Sequence, residues 1–280
     1  MTDQSPLIAY IGTTPNIGTT AAAFATAYRL GEESGKPVGF LCLNLKSAKL
    51  HRYLGVDTPG CTLDGLRPEL RAGSLTPQKL IRACHTVRGL PGVHVLFGNM
   101  MRDQAEFFTP EEAEHLLDVA ERTFSLTLLD VGAYWDNAAT ICGLRRAGSR
   151  VLVTTGALSH FQEDGNRWIK QVSPLFGVQP EQYEMVVIQP PWKIGGYSMK
   201  EIGKETGIAP IGEMQLNETF FSLLDSGRYE DWLRGDEQGK KAMKETSQKL
   251  MGRYGLQRKT VMTVQPWYRK LLTHRGGVGL

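Results

Sequence analysis

Residues 8–31 read IAYIGTTPNIGTTAAAFATAYRLG, in which an apolar run, a segment of small residues and an alanine-rich segment follow one another. The apolar run at 8–11 predicts a buried parallel strand, and the small, turn-forming residues of Gly12–Thr19 predict a loop. An alanine-rich segment beginning at Thr20 predicts a helix, which we expect Gly31 to end. A strand, a tight loop and a helix in this order form a phosphate-binding loop, because the loop N–H groups and the helix N-terminus point at one anion.

The predicted loop lacks the charged residue of an ordinary phosphate loop. Such loops end in Gly-Lys-Ser or Gly-Lys-Thr, where the lysine reaches the terminal phosphates and the hydroxyl binds Mg²⁺. Here Thr20 keeps the hydroxyl, whereas Thr19 takes the place of the lysine. We expect ATP and Mg²⁺ to bind weakly at most, and a strand-to-helix turn without a ligand is the alternative. The candidate nucleotide-binding residues of the loop are Gly12, Thr13, Thr14, Pro15, Asn16, Ile17, Gly18, Thr19 and Thr20.

Further apolar stretches alternate with helical patterns along the chain. This alternation predicts a doubly wound α/β domain with a mostly parallel sheet, helices on both faces and a ligand site at the carboxyl ends of the strands. We expect this domain to span residues 1–251, followed by a basic linker and tail at 252–280. Strands are predicted at 38–45, 93–98, 125–130, 151–155, 185–190 and 208–211, and the longer helices at 76–87, 109–123, 159–176 and 237–251.

The loop Thr13–Ala21 and the order of these elements resemble the ParA/MinD family of phosphate-loop ATPases. The family's loop reads Lys-Gly-Gly-x-Gly-Lys-Thr-Thr, so Thr14 stands where the family keeps a second, dimer-bridging lysine. The family's second strand ends in Asp-x-Asp, and these acids position the attacking water and hold Mg²⁺ through bound waters. Cys42 and Asn44 occupy their places here. A strand thiol and an amide are poor substitutes for either role.

Two further positions can be compared with the family: one keeps the family's residue, and the other departs from it. Asp130 ends an apolar strand and precedes Val131-Gly132, which resembles the family's Walker B acid, so Thr20 and Asp130 are the candidate metal residues if Mg²⁺ binds. The alternative is that Asp130 caps the next turn. Gln189 stands where the family usually has an asparagine that touches the adenine base, and it is a candidate nucleotide-binding residue.

The charged residues that the family has and this chain lacks determine which function the resemblance implies. Phosphoryl transfer depends on positioning and on neutralising charge at the terminal phosphates, so losing the lysine and both acids argues against hydrolysis. The resemblance then implies a non-hydrolysing scaffold or positioning factor, most similar to the TadZ/CpaE group that places pilus and secretion machinery. Its partners would be proteins of a membrane-associated machine, and a homodimer is possible. One alternative is an active ATPase in which Lys46 or Lys49 replaces the missing lysine.

A second alternative is a DNA-partition protein, and the charge distribution argues against it. The chain has 280 residues with a net charge of +3, but residues 251–280 hold six basic residues and no acidic one. The rest carries 26 basic and 29 acidic residues. A body that binds nucleic acid non-specifically would be basic, so we do not expect a nucleic-acid partner.

Composition points to the cytoplasm. Cys42, Cys61, Cys84 and Cys142 are scattered, which suggests free thiols rather than a zinc site or a disulfide framework. No apolar run approaches the roughly 18 residues of a membrane span, and the first residues lack a signal-peptide pattern.

The tail predicts peripheral attachment to the inner face of the cell membrane. Residues 266–275, PWYRKLLTHR, place aromatic residues and leucines on one helical arc and mostly basic residues opposite. Such a helix can lie at an anionic membrane surface, and it resembles the C-terminal targeting helix of MinD members of the family. The alternative is docking on a protein surface. The candidate membrane residues are Trp267, Tyr268, Arg269, Lys270, Leu271, Leu272 and Arg275.

Overall fold

The computed structural model describes residues 6–191 and 196–259, and this part of the chain forms one eight-stranded sheet. The strands are β1 (Leu7–Gly12), β2 (Val38–Cys42), β3 (His85–Val87), β4 (Leu90–Leu96), β5 (Leu126–Asp130), β6 (Ser149–Thr155), β7 (Tyr183–Gln189) and β8 (Ala209–Gln215). Their order is β3-β4-β2-β5-β1-β6-β7-β8, and every neighbouring pair is parallel except β3 and β4. The predicted doubly wound, mostly parallel α/β fold is confirmed.

Helices cover both faces of the sheet. They are α1 (Thr19–Ser34), α2 (Leu50–Tyr53), α3 (Leu63–Arg71), α4 (Pro77–Ala83), α5 (Pro110–Thr123), α6 (Ala138–Arg146), α7 (Met199–Thr206), α8 (Glu218–Asp225), α9 (Tyr229–Gly235), α10 (Glu237–Lys241) and α11 (Lys244–Arg253). The segments Ser159–Asp164 and Asn166–Val172 have π-helical hydrogen bonding, and Arg102–Phe107, Ser173–Phe176 and Pro180–Gln182 form 3₁₀ turns.

Each face has its own apolar core. One core holds side chains of α3, α5, α6, α7 and the π-helical segments, and the other holds side chains of α1, α2, α8, α9 and α11. β1 lies between them with all six residues buried, as its uninterrupted apolar run predicts. The loop that follows β1 therefore lies at the middle of the carboxyl edge of the sheet.

The predicted end of α1 at Gly31 is wrong. The helix continues to Ser34 and ends where Gly35 adopts the left-handed conformation with φ 62° and donates to the carbonyl of Gly31. Gly31 lies inside the helix because α1 packs closely on the sheet there: an added Cβ would lie 2.3 Å from a methyl carbon of Val93. The glycine marks a close approach rather than a helix end.

Two other helix predictions need correction. The helix expected at 76–87 begins as predicted, with Thr76 as its cap, but it ends at Ala83 because residues 85–87 form the edge strand β3, which pairs with β4. The helix expected at 237–251 is broken into α10 and α11 at Met243, whose φ is 57°. The predicted buried face of that segment is confirmed, since its members are buried; they are Ala242, Met243, Thr246 and Leu250.

The tail prediction lies outside the described residues, including Trp267, Tyr268, Arg269, Lys270, Leu271, Leu272 and Arg275. The domain boundary at residue 251 also stays a prediction. Within 6–191 and 196–259, no helix combines the length and apolar character needed to cross a bilayer.

Candidate functional site

A cavity of about 590 Å³ opens beside the loop between β1 and α1. Small-molecule sites occupy roughly 300–1,000 Å³, so a nucleotide-sized ligand fits. The wall includes every predicted loop residue from Thr14 to Thr20, whereas Gly12 and Thr13 do not line it. The remaining wall residues are Ala21, Asn44, Ser47, Lys49, Tyr53, Gly132, Ala133, Tyr134, Thr155, Ala157, His160, Ile188, Pro190, Leu216, Phe220, Phe221 and Leu224.

The loop has the backbone shape of an anion site. Asn16 and Gly18 adopt positive φ angles of 64° and 101°, and Gly18 directly precedes α1. Thr19 is buried, and its hydroxyl lies against Gly12, where an added Cβ would come within 2.4 Å of Oγ1. The position of the missing lysine therefore carries a short side chain that is folded back onto the loop.

The Thr20–Asp130 pair forms the centre of the predicted metal site. Thr20 Oγ1 donates to Asp130 Oδ2 over 2.7 Å, and the N–H of Gly132 donates to Oδ1 over 3.2 Å. Burial raises the pKa of Asp130 from 3.8 to about 6, although the hydrogen bond from Thr20 lowers it in part. Asp130 is thus mostly ionised at neutral pH and fixes the Thr20 proton, which leaves the lone pairs of Thr20 free.

These two residues fit Mg²⁺ only together with ligand phosphates. Mg²⁺ prefers oxygen ligands, keeps several waters and is usually bound through few protein groups plus phosphate oxygens. Within the part of the chain that the structure describes, no group of three or more His, Cys, Asp or Glu residues could hold a metal ion. Thr20 lines the cavity, whereas Asp130 is fully buried behind it. Thr20 would therefore contact the ion, and Asp130 would orient Thr20.

Cys42 and Asn44 lie beside this pair but do not supply a base. The Cys42 thiol contacts Asp130 Oδ2 at 3.8 Å, and burial raises the pKa of this thiol well above its usual value. Asn44 accepts the N–H of Ser47 over 3.1 Å and packs against Gly132, where an added Cβ would lie 2.6 Å from its side chain. Both side chains are neutral, and Asn44 holds the loop that leaves β2.

The two lysines that follow β2 differ in position. Lys46 pairs with Asp136 and lies 3.7 Å from Glu106, and its ammonium group lies over the ring of Tyr134. Lys49 lines the cavity, and its Nζ donates to Asn16 Oδ1 in the loop over 3.3 Å. Of these two candidates, Lys49 is the one that reaches the phosphate loop.

An acidic residue contacts the loop from the opposite side. Asp164, in the first π-helical segment, accepts the hydroxyl of Thr14 over 2.7 Å. Gly165 packs on Thr13, and Thr13 Oγ1 donates to Thr154 of β6 over 3.2 Å. Sequence reasoning missed Asp164 because it lies 150 residues from Thr14 and belongs to no motif in its own segment.

The other end of the cavity is apolar. Its wall comes from β7, α8 and the turn after β8, and its members are Ile188, Pro190, Leu216, Phe220, Phe221 and Leu224. Gln189, the predicted base contact, accepts the N–H of Leu216 at its carbonyl and does not line the cavity. Sequence reasoning missed α8, although Asn217 caps it and its aromatic pair Phe220-Phe221 gave a signal.

Comparison with known proteins shows the fold. Neither protein-family models nor curated protein sequences match the chain. A ParA family ATPase from Chlorobium tepidum superposes with a TM-score of 0.75 at 17% identity, covering 87% of this chain and 99% of that one. MinD of Pyrococcus horikoshii, a septum site-determining protein solved with Mg-ADP, gives 0.72 at 16% identity, covering 89% and 97%.

A third similar structure is MinD in a MinC:MinD cell division complex from Aquifex aeolicus. It gives a TM-score of 0.69 at 16% identity, covering 88% of this chain and 96% of that one. The matches span nearly the whole length of the similar proteins, so the likeness extends over the complete sheet and its helices. This chain has the fold of the ParA/MinD phosphate-loop ATPases.

Proposed function

We propose that this chain is a nucleotide-binding positioning factor of the ParA/MinD type that has lost ATP hydrolysis. One observation carries the proposal. The cavity keeps the loop shape and the Thr20–Asp130 pair, whereas neutral side chains stand where the resemblance expects two lysines and two aspartates. Those side chains are Thr14, Thr19, Cys42 and Asn44.

The local contacts give the physical reason. Terminal phosphates need a fixed cation while charge develops in the transition state, and removing one such contact typically costs a hundredfold or more in rate. The attacking water also needs an acceptor. The Cys42 thiol stays protonated because burial raises its pKa, and Asn44 Oδ1 already accepts the N–H of Ser47. Binding can survive these losses, because loop amides and Thr20 remain.

A steady-state phosphate-release assay with Mg²⁺ and ATP or GTP tests the loss of hydrolysis. We expect the same background rate for the wild type and for Thr20→Ala, in which the last metal-binding hydroxyl of the loop is removed. Turnover that disappears in Thr20→Ala would contradict the proposal.

Light scattering provides a second test. We expect the protein to have the same molecular mass in solution with and without ATP, because Thr14 replaces the family's dimer-bridging lysine.

The position of Lys49 favours a second candidate, an active ATPase with an unconventional loop. Its ammonium group lies 3.3 Å from Asn16 Oδ1 and could shift onto a phosphate oxygen. Lys49→Gln discriminates the two functions. An active enzyme would lose its turnover in this variant and keep it in Lys46→Gln, since Lys46 is paired with acidic side chains.

The proposed place of action is the inner face of the cell membrane, with pilus or secretion machinery as the class of partner. The chain passes residue 259 at the C-terminal end of α1, where the Lys259 N–H donates to the carbonyl of Glu33 over 2.7 Å. The phosphate loop lies at the N-terminal end of this 16-residue helix, about 24 Å away. Attachment through residues 260–280 would thus leave the cavity accessible.

Co-sedimentation with liposomes tests the attachment. We expect salt-sensitive binding to anionic vesicles and none to neutral ones, because basic residues near an anionic surface contribute about 1 kcal/mol each. Removal of residues 264–280 should abolish it. Equal binding by the truncated protein, or no binding by the intact protein at low salt, would rule out the tail as an anchor.

A further inference from the structure

The two ends of the cavity differ in polarity, and this difference would orient a bound ligand. Apolar side chains from β7 and α8 line one end, where a base or another flat apolar group would be removed from water. The loop and the start of α1 line the middle, where backbone N–H groups hold phosphates. Ile188 of the apolar end lies 3.7 Å from the Cβ position of Gly18, beside the start of α1, whereas Thr14 lies near the β1 end of the loop and defines the far end of the cavity. A ligand with its apolar group near Phe220 therefore extends its outermost phosphate toward Thr14.

The charged side chains near the phosphate loop differ in sign from one end of the cavity to the other. Lys49 lines the cavity, and its ammonium group contacts the loop at Asn16. Asp164 lies just behind the wall at the far end, where its carboxylate accepts the hydroxyl of Thr14 over 2.7 Å. In the chain that the structure describes, no Lys or Arg forms an ion pair with Asp164.

The far end of the cavity therefore disfavours another negative group. Each added phosphate brings negative charge, and a like charge a few ångströms away in a partly buried site opposes it. Thr14 cannot compensate, because its proton is already donated to Asp164. His160, another polar side chain of the cavity wall, is hydrogen-bonded through Nδ1 to Thr155 Oγ1 over 2.8 Å.

We propose that the cavity selects ligands with one or two phosphates, of the nucleoside mono- or diphosphate class. Lys49 is the cation of this site, and Asp164 is the residue that excludes a third phosphate. This inference rests on the proposed nucleotide binding, and it deepens that proposal by naming the ligand class. It also gives the site a cation that does not come from the loop itself.

Titration calorimetry with Mg²⁺ and three probes tests the selection: ADP, the non-hydrolysable triphosphate AMPPNP, and pyrophosphate. We expect the wild type to bind ADP at least about tenfold more tightly than AMPPNP, which is the size of one charge-assisted contact. ADP should also bind more tightly than pyrophosphate, because only ADP reaches the apolar end. Equal binding of pyrophosphate and ADP would overturn the nucleoside class, and tighter binding of AMPPNP would overturn the selection.

Matched variants assign the roles. Asp164→Asn keeps an acceptor for Thr14 and removes the charge, so AMPPNP affinity should rise roughly tenfold to a hundredfold, with a much smaller change for ADP. The control Glu163→Gln makes the same change on an exposed neighbour and should alter neither. Lys49→Gln should weaken both nucleotides, whereas Lys46→Gln should not. Equal gains for ADP and AMPPNP in Asp164→Asn would contradict the role of Asp164.

The outcomes separate this inference from the proposed function. Preference for AMPPNP without any hydrolysis overturns the selection and leaves the non-hydrolysing factor intact. Hydrolysis of ATP overturns the proposed function, whatever the affinity ratio is. Failure of all three probes to bind overturns the inference, because the cavity then holds no phosphorylated ligand of this class.

Discussion

The two ends of α1 differ in whether they carry a positively charged side chain. In the C-terminal half, Arg29 is 3% exposed and donates to the carbonyls of Leu233, Gly239 and Ala242 at 2.7, 2.6 and 3.3 Å, and also to Glu32. At the N-terminus, the position that usually carries the phosphate-binding lysine is Thr19. The buried cation makes four hydrogen bonds, whereas the cation on which catalysis would depend is absent.

This difference separates stability from ligand chemistry. Arg29 hydrogen-bonds α1 to α9, to α10 and to the residue between α10 and α11. We call Arg29 and these three hydrogen bonds the clasp, because they hold the C-terminal helices on α1. The loop end is held by neutral contacts, namely Thr13 on Thr154 and Thr20 on Asp130. Substitutions at one end should therefore change the free energy of unfolding, and substitutions at the other should change binding.

The largest expected effect is at the clasp. Arg29→Met removes the donor to three carbonyls in a buried setting, and breaking such a buried charged network costs about 3–5 kcal/mol. The control is Arg228→Met: Arg228 is 62% exposed and pairs with Asp231, so its loss should cost less than about 1 kcal/mol. Urea denaturation measures both. Similar losses in the two variants would show that the buried arginine is no clasp.

The second effect is a pH dependence at the loop end. Burial raises the pKa of Asp130 from 3.8 to about 6. The folded protein therefore holds this proton more tightly than the unfolded chain does. The resulting stabilisation is complete below about pH 4 and is lost as pH rises through 6, with a total of about 3 kcal/mol.

Urea denaturation of the wild type and Asp130→Asn from pH 4 to pH 8 checks this. Asparagine does not titrate, so the wild type should lose about 3 kcal/mol relative to the variant across this range. A difference between the two proteins that stays the same from pH 4 to pH 8 would mean that folding does not raise the pKa of Asp130.

The smallest effect concerns the packing of α1. Gly31→Ala should destabilise by about 1–3 kcal/mol, because its Cβ would overlap Val93. Gly252→Ala in α11 makes the same change where nothing lies within 4 Å, and it should stabilise by up to about 1 kcal/mol through helix propensity. Thermal unfolding with opposite shifts would support a tightly packed α1. Shifts of the same sign would contradict it.

Local patterns predicted much of this architecture. The apolar run of β1, the small residues of the loop and the alanine-rich α1 are adjacent in the chain, so their geometry follows from local preferences. Asp130 was predicted from its resemblance to the family's Walker B acid, because it ends an apolar strand and a small residue follows it. The predicted starts of the helices at 76 and 109 agree with the side-chain caps formed by Thr76 and Thr109, because capping depends on neighbouring residues only.

The missed features depend on distant residues. Gly31 looked like a helix end, and only its contact with β4 explains it. Arg29 contacts carbonyls more than 200 positions away, and Asp164 reaches Thr14 across 150 positions. The hydrophobic periodicity of a sequence carries no information about contacts between such distant residues. The site's charge pattern therefore became visible only when the fold placed Lys49 and Asp164 at opposite sides of the loop.

Single-turnover hydrolysis tests the central claim most directly. Protein in excess over radiolabelled ATP and Mg²⁺ is followed for hours, so each ATP molecule can be bound and contaminating turnover is minimised. We expect the wild type and Lys49→Gln to convert labelled ATP to ADP no faster than a protein-free control does. Conversion to ADP by the wild type at a rate that falls in Lys49→Gln would contradict it, and would make Lys49 the catalytic cation of a working ATPase.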